Sequence, residues 1–267
     1  MGELASQFET GPEVKRVVLL GASNLSRGFP ALVRSAKQWL GCPLEFLVAM
    51  GYGRSYGQES SFFGKKFCGI LQSPLWEHLE QNGHVPTYAL ITDIGNDILY
   101  GVSVETILQW IAESLERLHK RGAQVVMTNM PIDSIHGLSR ARFLLFRTFF
   151  FPACRLSLET VVARAEMLSQ ALQDLAKDKK VPVLKAKSKW YGMDPIHVRR
   201  TDAVRVWTEI LKHWTDLAAP PAHHRSPPSP VFSADYFYLA TASFRSMIRH
   251  PNQPIDCLCD GVTIAQF

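Results

Sequence analysis

The chain has 267 residues, of which 46% are apolar and 20% are charged, and its formal net charge is +5. These proportions are ordinary for a globular protein and supply enough apolar residues for one sizeable core. The charge excess is small for this length, and the sequence contains neither zinc-finger spacing nor an aromatic RNA-binding motif. We therefore expect no nucleic-acid partner.

The N-terminal residues and the cysteines indicate the compartment. Residues 1–10 lack a basic stretch followed by an apolar run, so we expect no signal peptide. No apolar stretch is long enough to span a bilayer. The five cysteines are odd in number and scattered, which is typical of a reducing cytoplasm. Cys257 and Cys259 lack the neighbouring ligands of a zinc site, and we expect neither a metal nor a cofactor.

Five short apolar runs alternate with segments of helical periodicity. The runs cover residues 17–20, 44–50, 87–94, 124–130 and 181–184, and the helical segments cover about 29–40, 104–119, 158–177 and 199–217. A run of consecutive branched residues is typical of a parallel strand that is buried on both faces. The alternation predicts an α/β fold with a five-stranded parallel sheet, right-handed crossovers and helices on both faces.

The composition changes after residue 219. Residues 220–230 are rich in proline and serine, which is typical of a linker, and the aromatic residues beyond them show no clear period. We therefore place one domain in residues 1–219, followed by a linker and a tail without a predicted fold in residues 220–267. We expect the tail to be dispensable for the chemistry of the domain.

The first strand ends at Gly21, and Ser23 follows two residues later, shortly before a helix. Ligands of open α/β sheets bind beyond the carboxyl ends of the strands, so Ser23 is our candidate nucleophile. The alternative role is structural, because serine after a strand often forms a turn or caps a helix. Leu25 stands where the G-x-S-x-G motif has its second glycine, so that motif does not apply.

Two later strand ends carry groups that can approach an anion. Gly51 and Gly53 follow the second strand, where glycine allows the backbone to come close to a ligand. The alternative for these glycines is a tight turn, and a phosphate loop is excluded because its Lys-Ser/Thr pair is absent. Gly95-Asn96-Asp97 follows the third strand, at the same edge of the predicted sheet.

Asp194-Pro195-Ile196-His197 follows the fifth strand. Acyl transfer by serine needs a base that takes the hydroxyl proton, and a carboxylate commonly holds the imidazole in place. A turn at Pro195 can bring the carboxylate of Asp194 onto the ring of His197. Alone, Asp-Pro opens many turns, and His197 could be an ordinary residue at a helix start. Together with Ser23, the pattern favours a triad of Ser23, Asp194 and His197.

This ordered set of motifs resembles the SGNH, or GDSL-like, hydrolase family over about residues 17–217. The resemblance implies a three-layer α/β/α sandwich of the flavodoxin-like type. It also implies a serine esterase that acts on a small-molecule carboxylic ester through an acyl-enzyme. The oxyanion hole of the family falls on Gly51 or Gly53 and on Asn96, together with the serine amide.

The sequence departs from the family pattern at three positions, one of which is Asn24, where the family commonly has leucine or serine. Ala22 stands where the family has aspartate in Gly-Asp-Ser, a residue that is not a member of the triad. Gly95 directly precedes Asn96, without the residue that the family places between them. Two other functions stay open, a non-catalytic or weakly active binding module with the same fold and an O-acyltransferase.

Residues 137–158 combine four arginines with a run of phenylalanines and leucines. One interpretation is a lid or an acyl-chain groove whose arginines meet a carboxylate or phosphate. The other is a buried helix whose arginines extend to solvent. The same segment is our candidate for peripheral contact with a membrane.

Overall fold

The computed structural model describes residues 13–192, 194–214, 256–258 and 261–267. A seven-stranded sheet lies between two helical layers and has the order β7-β6-β5-β1-β2-β9-β8. Neighbouring strands of this sheet are parallel, except that β8 pairs antiparallel with β9. A separate hairpin consists of β3 and β4. The strands are β1 (Lys15–Leu20), β2 (Leu44–Ala49), β3 (Ser60–Phe62), β4 (Lys65–Phe67), β5 (Thr87–Ile91), β6 (Gln124–Thr128), β7 (Val183–Leu184), β8 (Asp256–Leu258) and β9 (Val262–Gln266).

Consecutive residues of the central strand β1 belong to opposite layers of the core. Val18 and Leu20 pack in the layer that contains α4 (Val104–His119) and α7 (Leu158–Lys179), whereas Val17 packs in the layer of α1 (Ser23–Leu40) and α8 (Ala203–Leu211). Burial on both faces explains why this strand is a continuous apolar run. The predicted α/β fold is confirmed. The remaining helices are α2 (Leu75–Gln81), α3 (Asn96–Leu99), α5 (Ile132–His136) and α6 (Arg140–Phe150).

The sheet has six parallel strands, whereas the sequence predicts five. The sixth is β9, which lies beside β2 with Val262 opposite Leu44, and its residues Val262, Ile264 and Ala265 are buried. No strand is predicted after residue 217, because this short run is isolated from the strand–helix alternation. The predicted boundary between residues 219 and 220 lies outside the described residues. The last strand of the predicted tail nevertheless belongs to the sheet.

The loop after β2 holds the end of β9 through a buried arginine. Arg54 is 1% exposed, and its guanidinium donates hydrogen bonds to the main-chain oxygens of Cys68 and Phe267. The loop that carries Gly51 and Gly53 and the end of β9 are therefore joined by hydrogen bonds. The C-terminal strand is thus connected to the edge of the sheet where the predicted site lies.

Helix α1 begins at Ser23 rather than near Phe29, where the apolar periodicity starts. The first N–H groups of a helix have no partner within it. The carboxylate of Asp93 accepts hydrogen bonds from the N–H groups of Ala22 and Leu25, at 2.8 and 3.1 Å. A residue distant in sequence therefore caps this helix and extends it to the candidate nucleophile.

Residues 137–158 include α6 and the turns on either side of it. Phe143 is the only residue of α6 that is buried, and Leu144, Leu145 and Phe149 are exposed. The interpretation of this segment as a buried helix is therefore wrong. No helix within the described ranges is both long and apolar enough to cross a membrane.

Candidate active site

The structure brings Ser23, His197 and Asp194 together at the carboxyl edge of the sheet. Oγ of Ser23 lies 2.8 Å from Nε2 of His197, and Nδ1 of His197 lies 2.6 Å from Oδ2 of Asp194. Ser23 is the first residue of α1, and the other two side chains come from the loop that precedes α8. This arrangement allows the imidazole to accept the serine proton while the carboxylate orients the ring.

The loop around Asp194 holds its carboxylate in the ionised form. Oδ1 accepts hydrogen bonds from the N–H groups of Ile196 and His197, both at 3.2 Å, and Oδ2 lies 3.3 Å from Nη1 of Arg27. Burial raises the pKa of Asp194, but the hydrogen bonds from His197 and Ile196 and the nearby charges lower it overall to about 2. The group therefore stays an anion that can stabilise a protonated imidazole.

Asn96 begins α3 and lines the same cavity as Ser23. Its Nδ2 atom is buried and has no hydrogen-bond partner in the structure. A buried donor without a partner is destabilising, and native proteins contain few of them. An amide in this state can donate to an oxyanion that forms beside Ser23.

The two candidate glycines after β2 lie in the loop described above. Gly53 has φ +65°, and its carbonyl oxygen accepts a hydrogen bond of 2.6 Å from the hydroxyl of Tyr100. A Cβ atom at Gly51 would lie 2.5 Å from the ring of Phe67, so this position has no room for a larger residue. Neither glycine is among the residues that line the cavity. Their participation in an oxyanion hole stays a prediction.

A second carboxylate, from Asp93, supports the loop that carries Ser23. Besides capping α1, Asp93 accepts a hydrogen bond from Nδ2 of Asn24 at 2.8 Å. The same amide group donates to the carbonyl oxygen of Ile196, and Oδ1 of Asn24 accepts from the N–H of Val198, each at 2.8 Å. Asn24 therefore contacts the residues on both sides of His197. The network connects the loops of the nucleophile and the base.

This network was not predicted from the sequence. The family pattern places a carboxylate at position 22, where this chain has Ala22, and the structure supplies one from Asp93 instead. Asp93 has φ +61°, a conformation that is uncommon for residues other than glycine, although aspartate and asparagine adopt it more readily than most. An aspartate two residues after the end of a strand and two residues before Gly95 is the one local signal that could have indicated it.

A buried polar cluster lies beneath the site. Asp97 is fully buried and accepts hydrogen bonds from the hydroxyl of Ser55 and the N–H of Tyr56. Burial raises the pKa of Asp97 to about 6, although these hydrogen bonds oppose the rise. The hydroxyl of Tyr56 lies within hydrogen-bond distance of two carbonyl oxygens. One belongs to Leu20, the last residue of β1, and the other to Thr92, which directly follows β5. The cluster therefore fixes the glycine-rich loop against two central strands.

An apolar cavity of about 150 Å³ extends from Ser23 and Asn96 toward α6. One face of α6 lines it, together with residues of α5, α7 and the turns between them. The described residues contain no group of three or more histidine, cysteine or acidic side chains that could hold a metal ion. The lining includes Ile98, Ile135, Leu138, Phe143, Phe146, Phe150 and Val161.

Comparisons with known proteins find the fold but no close relative. No protein-family model matches the chain, and no curated protein matches its sequence. Among solved structures, a carbohydrate acetylesterase family member from Sinorhizobium meliloti is 16% identical, with a TM-score of 0.52, covering 74% of this chain and 95% of its own. The aryl esterase of M. smegmatis is 12% identical, with a TM-score of 0.52, covering 76% and 100%. The acetyl xylan esterase AlAXEase is 11% identical, with a TM-score of 0.50, covering 74% and 98%. The chain therefore has the fold of these esterases, which is the fold that the resemblance to SGNH hydrolases predicts.

Proposed function

We propose that this chain is a serine esterase that hydrolyses a carboxylic ester through an acyl-enzyme. Ser23 is the nucleophile, His197 the general base and Asp194 the group that orients the base. The observation that carries the proposal is the continuous chain of contacts from Oγ of Ser23 through His197 to Asp194, at 2.8 and 2.6 Å. The unpartnered amide of Asn96 in the same cavity supports it.

The residues would act in the following order. Oγ of Ser23 attacks the ester carbonyl carbon while Nε2 of His197 takes the hydroxyl proton. Nδ2 of Asn96 stabilises the oxyanion, with backbone N–H groups at Ser23 and at Gly51 or Gly53 as further donors. The ester C–O bond then breaks, and the leaving alkoxide receives the proton from His197. Water attacks the acyl-enzyme, gives its proton to His197, and Ser23 leaves with that proton as the acid is released.

The lining of the cavity favours an ester with an apolar acyl group. An engineered apolar cavity of about 150 Å³ in another protein binds benzene, so this cavity accommodates a group of about six carbons. The structural neighbours are named for acetyl and aryl esters. A short or aromatic acyl group would fit within the cavity, and a longer chain would extend past α6.

We place this activity in the cytoplasm, where the sequence predicts the protein. In the described part of the chain Cys42, Cys68 and Cys154 are free thiols, which supports a reducing compartment. An O-acyltransferase would use the same residues and differ in the group that attacks the acyl-enzyme. We favour water, as in the esterases whose fold this chain shares.

Labelling with a fluorophosphonate probe tests the proposal. We expect the wild-type protein to be labelled at Ser23 and Ser23→Ala to lose the label. Ser26→Ala is a matched control, because Ser26 lies one turn along α1 and its hydroxyl bonds to the carbonyl oxygen of Ala22. This control should be labelled normally. Absence of label on the folded wild-type protein would favour a binding module without catalysis.

Hydrolysis of 4-nitrophenyl esters of increasing acyl length then measures the activity. We expect kcat/KM to be highest for short and medium acyl groups that fit the cavity. Release of 4-nitrophenol that yields free acid supports hydrolysis. Transfer of the acyl group to an added alcohol, without free acid, would establish an acyltransferase instead.

A further inference from the structure

Helix α6 is apolar on two opposite faces, and the protein covers only one of them. Phe143, Phe146 and Phe150 follow helical spacing and line the cavity. On the other side, Leu145 and Phe149 are 68% and 60% exposed. An apolar face of a helix normally packs against a core or a membrane. The outer face of α6 therefore lacks a covering that its composition calls for.

The turn of the β3–β4 hairpin extends this apolar surface. Phe63 in that turn is 74% exposed, and its ring lies 5.5 Å from the ring of Phe149. Phe62 stacks on Phe150 at 5.9 Å between ring centroids. We call the exposed face of α6 together with this turn the aromatic face. Of the six large apolar side chains that are exposed in the described residues, four belong to it, namely Phe63, Leu144, Leu145 and Phe149.

The segments that form the aromatic face carry charge of one sign. Residues 137–157 contain four arginines and no acidic residue, and residues 60–67 contain two lysines and no acidic residue. Two glutamates from outside these segments lie against them, Glu159 on Arg140 and Glu59 on Lys66. The surface therefore stays cationic, and an apolar surface edged by cations is complementary to a bilayer that contains anionic lipid.

We propose that the aromatic face docks on an anionic lipid bilayer and that the ester substrate is a lipid taken from it. The docking depends only on the surface, whereas the identity of the substrate rests on the proposed esterase function. Phe149 and Phe150 are adjacent in α6, one on the aromatic face and the other lining the cavity that contains Ser23. Helix α6 alone therefore lies between the aromatic face and the cavity, so an acyl chain that leaves the bilayer has a short distance to travel to the nucleophile.

Charge disfavours a second copy of the chain and residues 215–255 as occupants of this surface. A second copy of the chain would bring six basic residues against the same six, and like charges repel. Residues 215–255 contain aromatic side chains, but they carry three arginines and only two aspartates, so they offer no net negative charge to match. An anionic bilayer supplies both the apolar interior and the opposite charge.

Co-sedimentation of the full-length chain with vesicles tests the docking. The two vesicles are phosphatidylcholine alone and phosphatidylcholine with 30% phosphatidylserine. We expect partitioning to rise at least tenfold with phosphatidylserine and to fall in 0.5 M NaCl, because salt screens the attraction. The double variant Leu145→Ser, Phe149→Ser should lower partitioning at least tenfold, since each substitution removes an exposed apolar side chain that would enter the bilayer. Its hydrolysis of a soluble short ester should not change.

Matched controls distinguish binding through the aromatic face from non-specific adsorption to the vesicles. Met167→Ser changes a side chain that is 57% exposed but lies on α7, and Arg121→Gln removes a charge before β6, at the opposite edge of the sheet. Both variants should partition like the wild-type protein. The double variant Arg140→Gln, Arg142→Gln should weaken binding to the anionic vesicles, by roughly fivefold for each charge removed, and should not change binding to phosphatidylcholine vesicles.

Three results would overturn the docking. They are equal partitioning to the two vesicles, equal losses for Met167→Ser and the double variant, and a dimer that the double variant converts to monomer in light scattering. Partitioning is also measured with Ser23→Ala, so that docking is read without catalysis. If the protein binds anionic vesicles as expected but the fluorophosphonate probe does not label Ser23, the esterase function is refuted and the docking surface is supported. If the probe labels Ser23 but the wild-type protein hydrolyses lipid esters in anionic vesicles no faster than the double variant does, the lipid substrate is refuted.

Discussion

Asp93 is the residue whose replacement most directly tests how the site is held together. Asp93→Asn keeps the shape of the side chain and tolerates the left-handed backbone. Its single amide oxygen can still accept from the N–H groups of Ala22 and Leu25. Its NH₂ group then faces Nδ2 of Asn24, a donor against a donor. Asn24 cannot relieve this contact by rotating, because its oxygen accepts from Val198 and its nitrogen donates to Ile196.

We expect this variant to lower both stability and rate. Loss of a hydrogen bond to a charged group costs about 1.5–3 kcal/mol, so the free energy of unfolding should fall by about 2–3 kcal/mol. Loosening of the contacts around His197 should lower kcat, since a misplacement of about 1 Å can cost about 100-fold. KM should change little, because Asp93 and Asn24 act on the positions of Ser23 and His197. Urea unfolding and hydrolysis of a 4-nitrophenyl ester measure the two effects.

Two further variants isolate the role of the carboxylate. Asp93→Gly removes the strain of φ +61° together with every hydrogen bond, and it should be slower than Asp93→Asn. Asp133→Asn is the control, since Asp133 is an exposed acid whose contact is an ion pair of 3.5 Å with Lys185. It should change stability by less than about 0.5 kcal/mol. Wild-type kcat in Asp93→Gly would refute the positioning role.

Three other predictions follow from buried groups. Asn96→Ala should lower kcat by about two to three orders of magnitude at constant KM, because an oxyanion donor acts in the transition state; an unchanged kcat removes Asn96 from the oxyanion hole. The pKa of Asp97 rises on folding from 3.8 to about 6, so its contribution to stability is greatest below pH 3.8 and is lost as the pH rises through 6. From pH 4 to pH 7 the wild-type protein should therefore lose about 2 kcal/mol relative to Asp97→Asn in urea unfolding. A difference that does not vary with pH would contradict the raised pKa. Ile264→Ala should cost about 2–5 kcal/mol as a core truncation, whereas the exposed Val14→Ala should cost less than about 0.5 kcal/mol; equal costs would mean that β9 is not part of the core.

The strands and their order along the chain could be predicted from the sequence. A strand that is covered on both faces is apolar along most of its length, so β1, β2, β5 and β6 are visible as nearly continuous apolar runs. The carboxyl ends of parallel strands meet at one edge of a sheet. That rule is sufficient to place Ser23, Asn96 and the loop with Asp194 and His197 near one another. The contact between Asp194 and His197 is a local consequence of their motif, whereas Ser23 and His197 are 174 residues apart and meet only in the folded sheet.

The strand β9 could not be predicted, because its reason to exist lies in β2. The five residues of β9 follow a proline-rich stretch and a segment without helical periodicity, so no helix in the sequence marks a crossover connection to this strand. They become a strand because the open edge of β2 offers unpaired backbone groups and a place to bury Val262 and Ile264. The surroundings of the exposed face of α6 could not be predicted either. Its sequence indicates an apolar environment, but it does not indicate whether protein or a lipid bilayer provides that environment.

The sequence by itself determined the α/β fold and the candidate triad, because both follow from periodicity and from motifs at strand ends. Only the tertiary structure decided how the triad is supported. Asp93 caps α1 and holds Asn24 from 71 and 69 residues away, and such a contact has no local signature. A carboxylate missing at Ala22 can be supplied from any strand end that reaches the same point in space. Which strand end supplies it depends on the packing of β1 against β5, and on no feature of either segment alone.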